Sequence, residues 1–233
     1  MNEDINPTPP ELDAGHFRVL KDAPAPIRFV GHKPRDFAHE IGASEEIIRR
    51  MPERPFTRPA LIGFVAATQD TEARFVAVMS WGKMRHDHAR RAWNVKERWI
   101  PLVRAISEPH LTRAQAYALF RNARTSRNLS GLGVAYFTKL LFFLRPVSDA
   151  YIMDQWTGKS INLLFLGDST VKLTATGLVS DHNTEGDYDR FCARIEFLAK
   201  MLGVTPAEAE ERIFSNGGRH IGQWRAHVKA SHV

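Results

Sequence analysis

Residues 128–154 read NLSGLGVAYFTKLLFFLRPVSDAYIMD. Two glycines, Gly131 and Gly133, precede a strongly apolar segment; a proline follows that segment, and Asp154 closes the stretch. Glycine allows the backbone to make a tight turn, and proline cannot continue a helix. The pattern therefore predicts a hairpin that opens a buried helix over residues 134–144, a loop, and a second helix that begins at the aspartate.

A single lysine, Lys139, lies inside the apolar helix, and its neighbours in the sequence are mostly apolar or aromatic. Burial disfavours the charged ammonium and lowers its pKa, which frees the amine lone pair for attack on an electrophile. Asp154, at the start of the next helix, could stabilise developing positive charge. The structural alternatives are a lysine whose stem packs while its ammonium stays in water, and an aspartate that only caps its helix.

The arrangement resembles the helix-hairpin-helix DNA glycosylases, specifically the 8-oxoguanine DNA glycosylase group. The motif of that family runs Leu-Pro-Gly-Val-Gly-x-Lys, followed by a Gly/Pro-rich loop and a catalytic aspartate. Here Gly131 and Gly133 match the hairpin glycines and Asp154 matches the aspartate, whereas the usual lysine position is Ala135. Lys139 lies four residues further on, about one helical turn along the same face. This placement is similar to that in the archaeal branch of the family.

The resemblance implies a DNA glycosylase with abasic-site lyase activity. Lys139 would attack C1′ of the deoxyribose to form a Schiff base, and Asp154 would stabilise the cationic sugar ring. The default substrate is 8-oxoguanine in duplex DNA. Two alternatives stay open on the same scaffold. One is excision of a hypermodified base from foreign (phage) DNA as an anti-phage defence, and the other is a monofunctional enzyme in which Asp154 activates water and Lys139 only packs.

Two hypotheses from other classes also stay open. A non-catalytic duplex-DNA-binding protein would keep the hairpin and a basic face but release no base. A metal-dependent nuclease would use His86 and His88, yet these side chains point the same way only on a strand, and no ligand cluster accompanies them. We therefore expect residues 86–88 to lie in a DNA-facing or solvated loop, and we predict no metal site.

Residues around the hairpin and the catalytic pair supply candidate contacts to DNA. We expect phosphates to meet the backbone amides at Gly131 and Gly133 and the side chains of Arg124, Arg127 and Asn128. An extruded base needs a pocket, usually with an aromatic wall. The candidates for this pocket are Trp81, Phe142, Tyr151, Gln155 and Trp156, with Asp149 as a further group for a base edge. No cofactor is predicted, apart from a monovalent cation that the hairpin carbonyls could bind.

The charge of the chain is unevenly distributed. The 233 residues carry a formal net charge of +6. Residues 83–127, just before the hairpin, contain eleven Lys or Arg and three Asp or Glu, a net charge of +8, so the rest of the chain carries −2. A concentrated basic segment favours an anionic partner such as duplex DNA. A well-solvated basic surface is the alternative.

Cysteine content and hydropathy exclude several classes. Cys192 is the only cysteine, so the chain can form no internal disulfide and cannot bind the four-cysteine iron–sulfur cluster of several proteins with the implied fold. The N-terminal segment is acidic and lacks the apolar core of a signal peptide. The apolar run at residues 140–144 is far shorter than the ~20 residues of a membrane span. We expect a monomeric, cytoplasmic, nucleoid-associated protein without a membrane segment.

Proline content predicts the domain organisation. Nine of the thirteen prolines lie before residue 60, and five of these fall in residues 1–26, which we expect to form a flexible or loosely docked N-terminal arm. Residues 27–233 are predicted to form one mainly α bundle with little strand, in which the motif spans residues 112–165. The expected elements are a short strand at 27–31, a helix capped by Ser44, helices or strands at 60–81, helices at 90–105, 112–127, 134–144, 155–164, 188–201 and 205–216, and a short strand at 171–174.

Overall fold

The computed structural model describes residues 10–25, 29–126, 129–167, 169–215 and 221–231. Within these ranges the chain forms thirteen α-helices, and its only β-structure is two isolated bridges. The prediction of a mainly α fold is confirmed. The helices are α1 (Ala14–Asp22), α2 (Pro34–Ile41), α3 (Glu45–Arg50), α4 (Arg58–Ala67), α5 (Thr71–Trp81), α6 (His86–Trp93), α7 (Lys96–Ile106), α8 (Arg113–Thr125), α9 (Val134–Leu144), α10 (Gln155–Leu164), α11 (Glu185–Leu202), α12 (Pro206–Phe214) and α13 (Gln223–Ala230).

The three helices around the quoted stretch begin where their capping residues predict. Thr112 and Gln115 form a reciprocal capping box at the start of α8. α9 begins directly after Gly133 and covers the predicted range, and Pro146 follows its end. Asp154 caps α10 through its side chain. Local signals therefore place the two segments that carry the candidate catalytic residues.

α9 is the central helix of the fold and packs against α4, α5, α7 and α8. Eight of its eleven residues are buried. A helix that is apolar on all sides has to be enclosed by other helices. Each large apolar side chain that it buries contributes about 1.5–3 kcal/mol, which offsets the cost of burying a lysine among them. No helix in the described ranges is both long and apolar enough to cross a membrane.

Residues 10–25 contain a helix, α1, that is docked on the rest of the fold. Asp13 caps α1 by accepting a hydrogen bond from the backbone amide of His16, and its own amide donates to the carbonyl of Leu164 at 2.8 Å. Leu20 is fully buried. These contacts dock α1 on α10 and α13. The docking uses Leu20, the partly buried side chains of Leu12, Phe17 and Val19, and a few backbone hydrogen bonds, a small apolar set that the proline-rich composition of the segment conceals.

Residues 86–88 form the first turn of α6 instead of the predicted loop. The buried side chains of this helix, Ala89, Ala92 and Trp93, recur at helical spacing and bind the segment to the core. The basic helix that we expect at 90–105 is consequently divided into two helices, α6 and α7.

The strand predictions are wrong wherever the structure describes the segment, apart from one bridge. Residues 29–31 form no strand, and residues 27–28 lie outside the described ranges. At 171–174 the structure has an isolated bridge between Leu173 and Val179. The helical alternative for residues 60–81 is confirmed, since α4 and α5 occupy this segment. A short β-prone run forms a strand only where a partner strand is available.

Gly131 fixes the connection between α8 and α9. Its φ is +79°, which side chains rarely adopt, and an added Cβ would lie 2.1 Å from the carbonyl oxygen of His88. We therefore expect Gly131→Ala to lower the free energy of unfolding by about 2–4 kcal/mol, as measured by chemical denaturation. Gly133→Ala is the matched control, because its φ is −75° and its Cβ would be 3.9 Å from the nearest atom. Equal losses in the two variants would contradict the prediction.

Candidate active site

An open cleft and a smaller cavity meet at Lys139 and Asp154, which line both. The cleft has a volume of about 720 Å³, and the cavity about 60 Å³. The cleft is also lined by Arg124, Gly131, Gly133, Tyr136, Gln155 and Trp156. The cavity is also lined by Phe29, Arg58, Trp81, Gly82, Glu210 and Phe214. The structure therefore brings the two predicted catalytic residues together at the junction of two spaces.

Lys139 extends back along its helix. A helical side chain tilts toward the N-terminus, and Nζ of Lys139 donates a hydrogen bond of 2.7 Å to the backbone carbonyl of Ala135. The amine therefore lies beside the backbone of Ala135, one helical turn before its own residue.

The surroundings of Lys139 favour a neutral amine. The residue is only 8% exposed, and burial lowers the pKa of its amine below the ordinary lysine value. The carboxylates of Asp154 and Glu210 act in the opposite direction, and the Arg58 guanidinium acts with the burial. Because the net shift of the pKa is downward, a larger fraction of the amine is unprotonated and able to act as a nucleophile near neutral pH.

Asp154 is held by the helix that it caps. The side chain is 9% exposed, and its Oδ1 accepts hydrogen bonds from the backbone amides of Trp156 at 2.8 Å and Thr157 at 3.0 Å. Oγ1 of Thr157 in turn accepts a hydrogen bond from the backbone amide of Asp154 at 2.9 Å. Both helix amides bond to the same carboxylate oxygen. Capping is therefore compatible with a second role for the carboxylate at the cavity.

Thr138 links the segments that carry the two candidate residues. Its hydroxyl donates to the carbonyl of Val134 at 2.8 Å and accepts from the backbone amide of Met153 at 3.2 Å. Thr138 and Met153 each directly precede a candidate catalytic residue, and both are fully buried. The hydrogen bond therefore holds α9 and the start of α10 in a defined register. Sequence reasoning missed this threonine, because nothing in the local pattern shows its partner.

Gly82 makes room for the stem of Lys139. A Cβ at this position would lie 2.6 Å from Cδ of the lysine and 3.3 Å from the carbonyl oxygen of Val78. Because φ of Gly82 is −69°, alanine is compatible with the backbone, and the lysine side chain has to move instead. We expect Gly82→Ala to slow Schiff-base formation by about tenfold or more in borohydride trapping, since small displacements of a reacting group are costly. Gly63→Ala on α4 is the control, because a Cβ there meets no atom within 4 Å. Full activity of the Gly82 variant would contradict this role.

Arg58 and Glu210 form a buried ion pair in the cavity wall. Nη1 of the arginine lies 2.6 Å from Oε2 of the glutamate, and the side chains are 11% and 1% exposed. Burial raises the pKa of Glu210, and the guanidinium opposes this shift. The guanidinium carbon lies 5.4 Å from the ring centroid of Trp81 and 4.7 Å from that of Phe142. Sequence reasoning missed both charged residues, since Glu210 is one of three glutamates in α12 and only the packing shows which one points inward.

The predicted base-pocket residues separate into three groups. Trp81 lines the small cavity, whereas Gln155 and Trp156 line the cleft. Phe142 and Tyr151 instead line a different cavity that contains neither Lys139 nor Asp154. The tyrosine is held there by Tyr188, whose hydroxyl donates to the Tyr151 carbonyl at 2.9 Å. Asp149 pairs with Arg145 at 3.0 Å and lines neither space at the candidate site.

One of the side chains predicted to contact phosphate, Arg124, already has hydrogen-bond partners within the protein. Nε of Arg124 donates to Asp181 at 2.7 Å, and its Nη1 donates to the Leu129 carbonyl at 3.3 Å. This arginine therefore braces the connection before α9. Gly133 is the N-cap of α9 and supplies no side chain to cap it, so helix amides are left for another acceptor at the cleft. Arg127 and Asn128 lie outside the described residues.

Much of the positive charge of the basic segment at residues 83–127 is paired with carboxylates in the folded protein. At least six of its eleven Lys or Arg side chains are within ion-pair distance of carboxylates, four of them with carboxylates from other parts of the chain. The pairs are Arg85 and Arg91 with Asp87, Lys96 with Glu72, Arg113 with Asp189 and Glu196, Arg121 with Glu185, and Arg124 with Asp181. Net charge along the sequence therefore overstates the positive charge that is free to meet a phosphate.

The two histidines of the nuclease hypothesis have separate partners. His86 pairs through Nδ1 with Glu40, and His88 lies 3.7 Å from Asp87 and edge-on to the ring of Tyr136. Across the residues that the structure describes, no group of three or more His, Cys, Asp or Glu side chains could hold a metal ion. The geometry thus offers no support for metal-dependent cleavage at this position.

Comparison with known proteins gives one match. The model of the family described as "Putative 8-oxoguanine DNA glycosylase OGG-like protein" matches residues 26–214. This range is most of the chain, and it contains Lys139 and Asp154 together with Arg58 and Glu210. No curated protein and no solved structure matches the chain.

Proposed function

The chain belongs to the family of 8-oxoguanine DNA glycosylase OGG-like proteins, and on this basis we propose that it is a DNA glycosylase with abasic-site lyase activity. The observation that carries the proposal is the place of Lys139. Its desolvated amine lies where an open cleft and a smaller cavity share lining residues, beside a carboxylate that is fixed by helix capping. A Schiff-base glycosylase requires this combination of groups.

The two spaces correspond to the two parts of an extruded nucleotide. The cleft is large enough to take the sugar and the backbone, and Gly131 and Gly133 lie in its wall. Amides at the start of α9 would bind a phosphate there, as uncapped helix N-termini do. The base would enter the smaller cavity past Lys139 and Asp154, which leaves C1′ between the amine and the carboxylate. A monovalent cation on the hairpin carbonyls remains a prediction.

The chemistry follows from these positions. The neutral amine of Lys139 attacks C1′ while the bond from C1′ to the base nitrogen breaks, and the bonding electron pair leaves with the base, which takes up a proton. Loss of a proton from the new ammonium and cleavage of the C1′–O4′ bond, with protonation of O4′, give the Schiff base. Removal of a C2′ proton then expels the 3′ phosphate and nicks the strand. The negative charge of Asp154 lowers the energy of the cationic sugar in the first step.

Borohydride trapping tests the proposal. Duplexes that carry 8-oxoguanine or a preformed abasic site are incubated with the protein and borohydride in the presence of a chelator, which excludes a metal-dependent nuclease. We expect a covalent protein–DNA adduct on both duplexes. Salt-sensitive binding without an adduct on either duplex would overturn the lyase mechanism, and release of free base would then distinguish a monofunctional glycosylase from a binding protein. A panel of duplexes that carry hypermodified bases in place of 8-oxoguanine distinguishes the two substrate hypotheses.

A further inference from the structure

Two histidines join the first and the last helix of the described chain. Nδ1 of His16, on α1, lies 2.9 Å from Nε2 of His227, on α13, which is a hydrogen-bond distance. The ring centroids are 5.1 Å apart, the rings meet edge-on, and both side chains are half-buried. The family model matches residues 26–214, so both helices, and with them this contact, lie outside the matched range.

The hydrogen bond between the rings limits how many protons the pair can carry. A neutral imidazole has one N–H donor and one acceptor nitrogen, whereas an imidazolium has two donors and no acceptor. The bond therefore forms when at least one ring is neutral, and it cannot form when both rings are protonated. Two imidazolium groups at this separation also repel each other. Docking of α1 on α13 in the observed arrangement thus excludes the doubly protonated pair.

The surroundings provide no counterion for a second proton. Within the described ranges, no carboxylate lies at ion-pair distance from either ring. Asp13, the N-cap of α1, interacts electrostatically with His16, but its Oδ1 accepts a hydrogen bond from the His16 backbone amide. The other charged residues on the helices packed here are Arg18, Lys21 and Asp22 of α1, Lys159 of α10, Glu208, Glu210, Glu211 and Arg212 of α12, and Arg225 and Lys229 of α13.

Burial and the neighbouring His16 ring lower the pKa of His227 from its ordinary value of 6.5. A histidine whose pKa is lower in the docked state stabilises docking fully above pH 6.5, and this contribution is lost as the pH falls below that value. At about pH 5.5 the protonated form of a free imidazole exceeds the neutral form about tenfold, so docking that excludes this proton weakens by about the same factor.

α13 also supports a residue in the wall of the cleft. Nε1 of Trp224 donates to Oγ of Ser160 at 2.9 Å, which docks α13 on α10. The next residue, Arg225, is only 6% exposed, and its guanidinium carbon lies 4.6 Å from the ring centroid of Trp156. Trp156 lines the cleft. The position of α13 therefore determines whether this tryptophan keeps its cationic support.

We propose that His16 and His227 form a proton-sensitive latch, which holds α1 and α13 together while at least one ring is neutral and releases them when both are protonated. Release withdraws Arg225 from Trp156 and weakens the binding of duplex DNA in the cleft. The latch itself goes beyond the proposed function and is independent of it. Its effect on DNA binding rests on the proposed function.

Hydrogen exchange tests the latch. The double variant with His16→Asn and His227→Gln places an amide group at the reach of each bonding ring nitrogen, and amides do not titrate in this range. Exchange of the backbone amides in residues 10–25 and 221–231 is followed by mass spectrometry and corrected for the intrinsic pH dependence of exchange. From about pH 7.5 to about pH 5.5 we expect wild type to lose about tenfold or more in protection, and the double variant less than about threefold. His110→Gln, at an exposed imidazole before α8, is the control and should behave as wild type.

Two exchange results contradict the latch. One is an equal loss of protection in wild type and the double variant. The other is an equal loss in every helix of wild type, because the whole fold would then open. If the double variant does not fold, His227→Gln alone replaces it, and it should show the same reduced pH dependence, since a protonated His16 can still donate to the glutamine oxygen.

Duplex binding tests the link to the cleft. The dissociation constant for an abasic duplex is measured for wild type and the double variant at both pH values and at constant salt. We expect equal constants at about pH 7.5, and binding by wild type that is at least about threefold weaker than by the variant at about pH 5.5. Equal constants at both pH values would overturn the link. Absence of duplex binding by wild type at the higher pH contradicts the proposed function instead, and hydrogen exchange still decides whether the latch exists.

Discussion

Lys139→Gln is expected to abolish borohydride trapping and strand nicking, by at least about a thousandfold, while duplex binding persists. Glutamine occupies a similar volume on α9 but has no amine to attack C1′. Binding should persist because a side chain that is only 8% exposed contributes little to the phosphate contacts that dominate affinity for DNA. The loss should therefore appear in the chemical step alone.

The control for Lys139→Gln is a second Lys-to-Gln substitution, which removes the same charge at a position far from the site. Lys200 lies exposed on α11, away from the cleft and the cavity, so Lys200→Gln should trap abasic DNA at the wild-type rate. Trapping yield on a preformed abasic duplex and the dissociation constant for the same duplex are measured for both variants. Normal nicking by Lys139→Gln would exclude this lysine as the nucleophile.

The pH profile of nicking by the wild-type protein should also report the pKa of Lys139. Burial lowers this pKa below the ordinary value of 10.5, and only the neutral amine attacks C1′. The single-turnover rate of nicking on abasic DNA should therefore rise with pH and reach its plateau below the range in which an exposed lysine titrates. A rate that continues to rise through pH 10.5 would show that the reacting amine is not desolvated.

The parts of the site that could be predicted from the sequence are those with local causes. Gly133, the apolar run after it and the capping role of Asp154 depend on residues within a few positions of each other, and α9 and α10 lie where these signals place them. The lysine could be predicted for the same reason, since its apolar neighbours in α9 imply burial. The tilt of its side chain toward Ala135 follows from helix geometry alone.

The parts that could not be predicted depend on distant residues. Arg58 and Glu210 are 152 positions apart, and neither has a local pattern that points inward. The same limit applies to the N-terminal arm, where α1 is docked by contacts with α10 and α13 that no local signal reports. It also applies to the basic segment, because the carboxylates that neutralise most of its paired side chains come from other helices and loops. Burial and charge pairing at this site are set by residues that are distant in the sequence, so the local sequence pattern does not report them.

Asp154→Asn should reduce base release by about a hundredfold or more with little effect on stability. Asparagine retains the side-chain oxygen that accepts the hydrogen bonds from the amides of Trp156 and Thr157, so α10 keeps its cap. What the variant loses is the negative charge that, in the proposed mechanism, lies beside the sugar and stabilises the cationic transition state. Asp154→Ala removes both features and should in addition lower the free energy of unfolding by about 0.5–2 kcal/mol.

The pH profile separates a catalytic role of this carboxylate from a purely structural one. Asp154 raises the pKa of Lys139, so its neutralisation in Asp154→Asn should lower that pKa further. The rising limb of nicking on abasic DNA should consequently move to lower pH, even while base release slows. Single-turnover rates across the pH range measure the shift of this limb, with Asp36→Asn as the control, because Asp36 is exposed on α2 and lines neither the cleft nor the cavity. If the pH profile of Asp154→Asn has its rising limb at the same pH as wild type, and if base release is also at the wild-type rate, Asp154 serves only as the cap of α10.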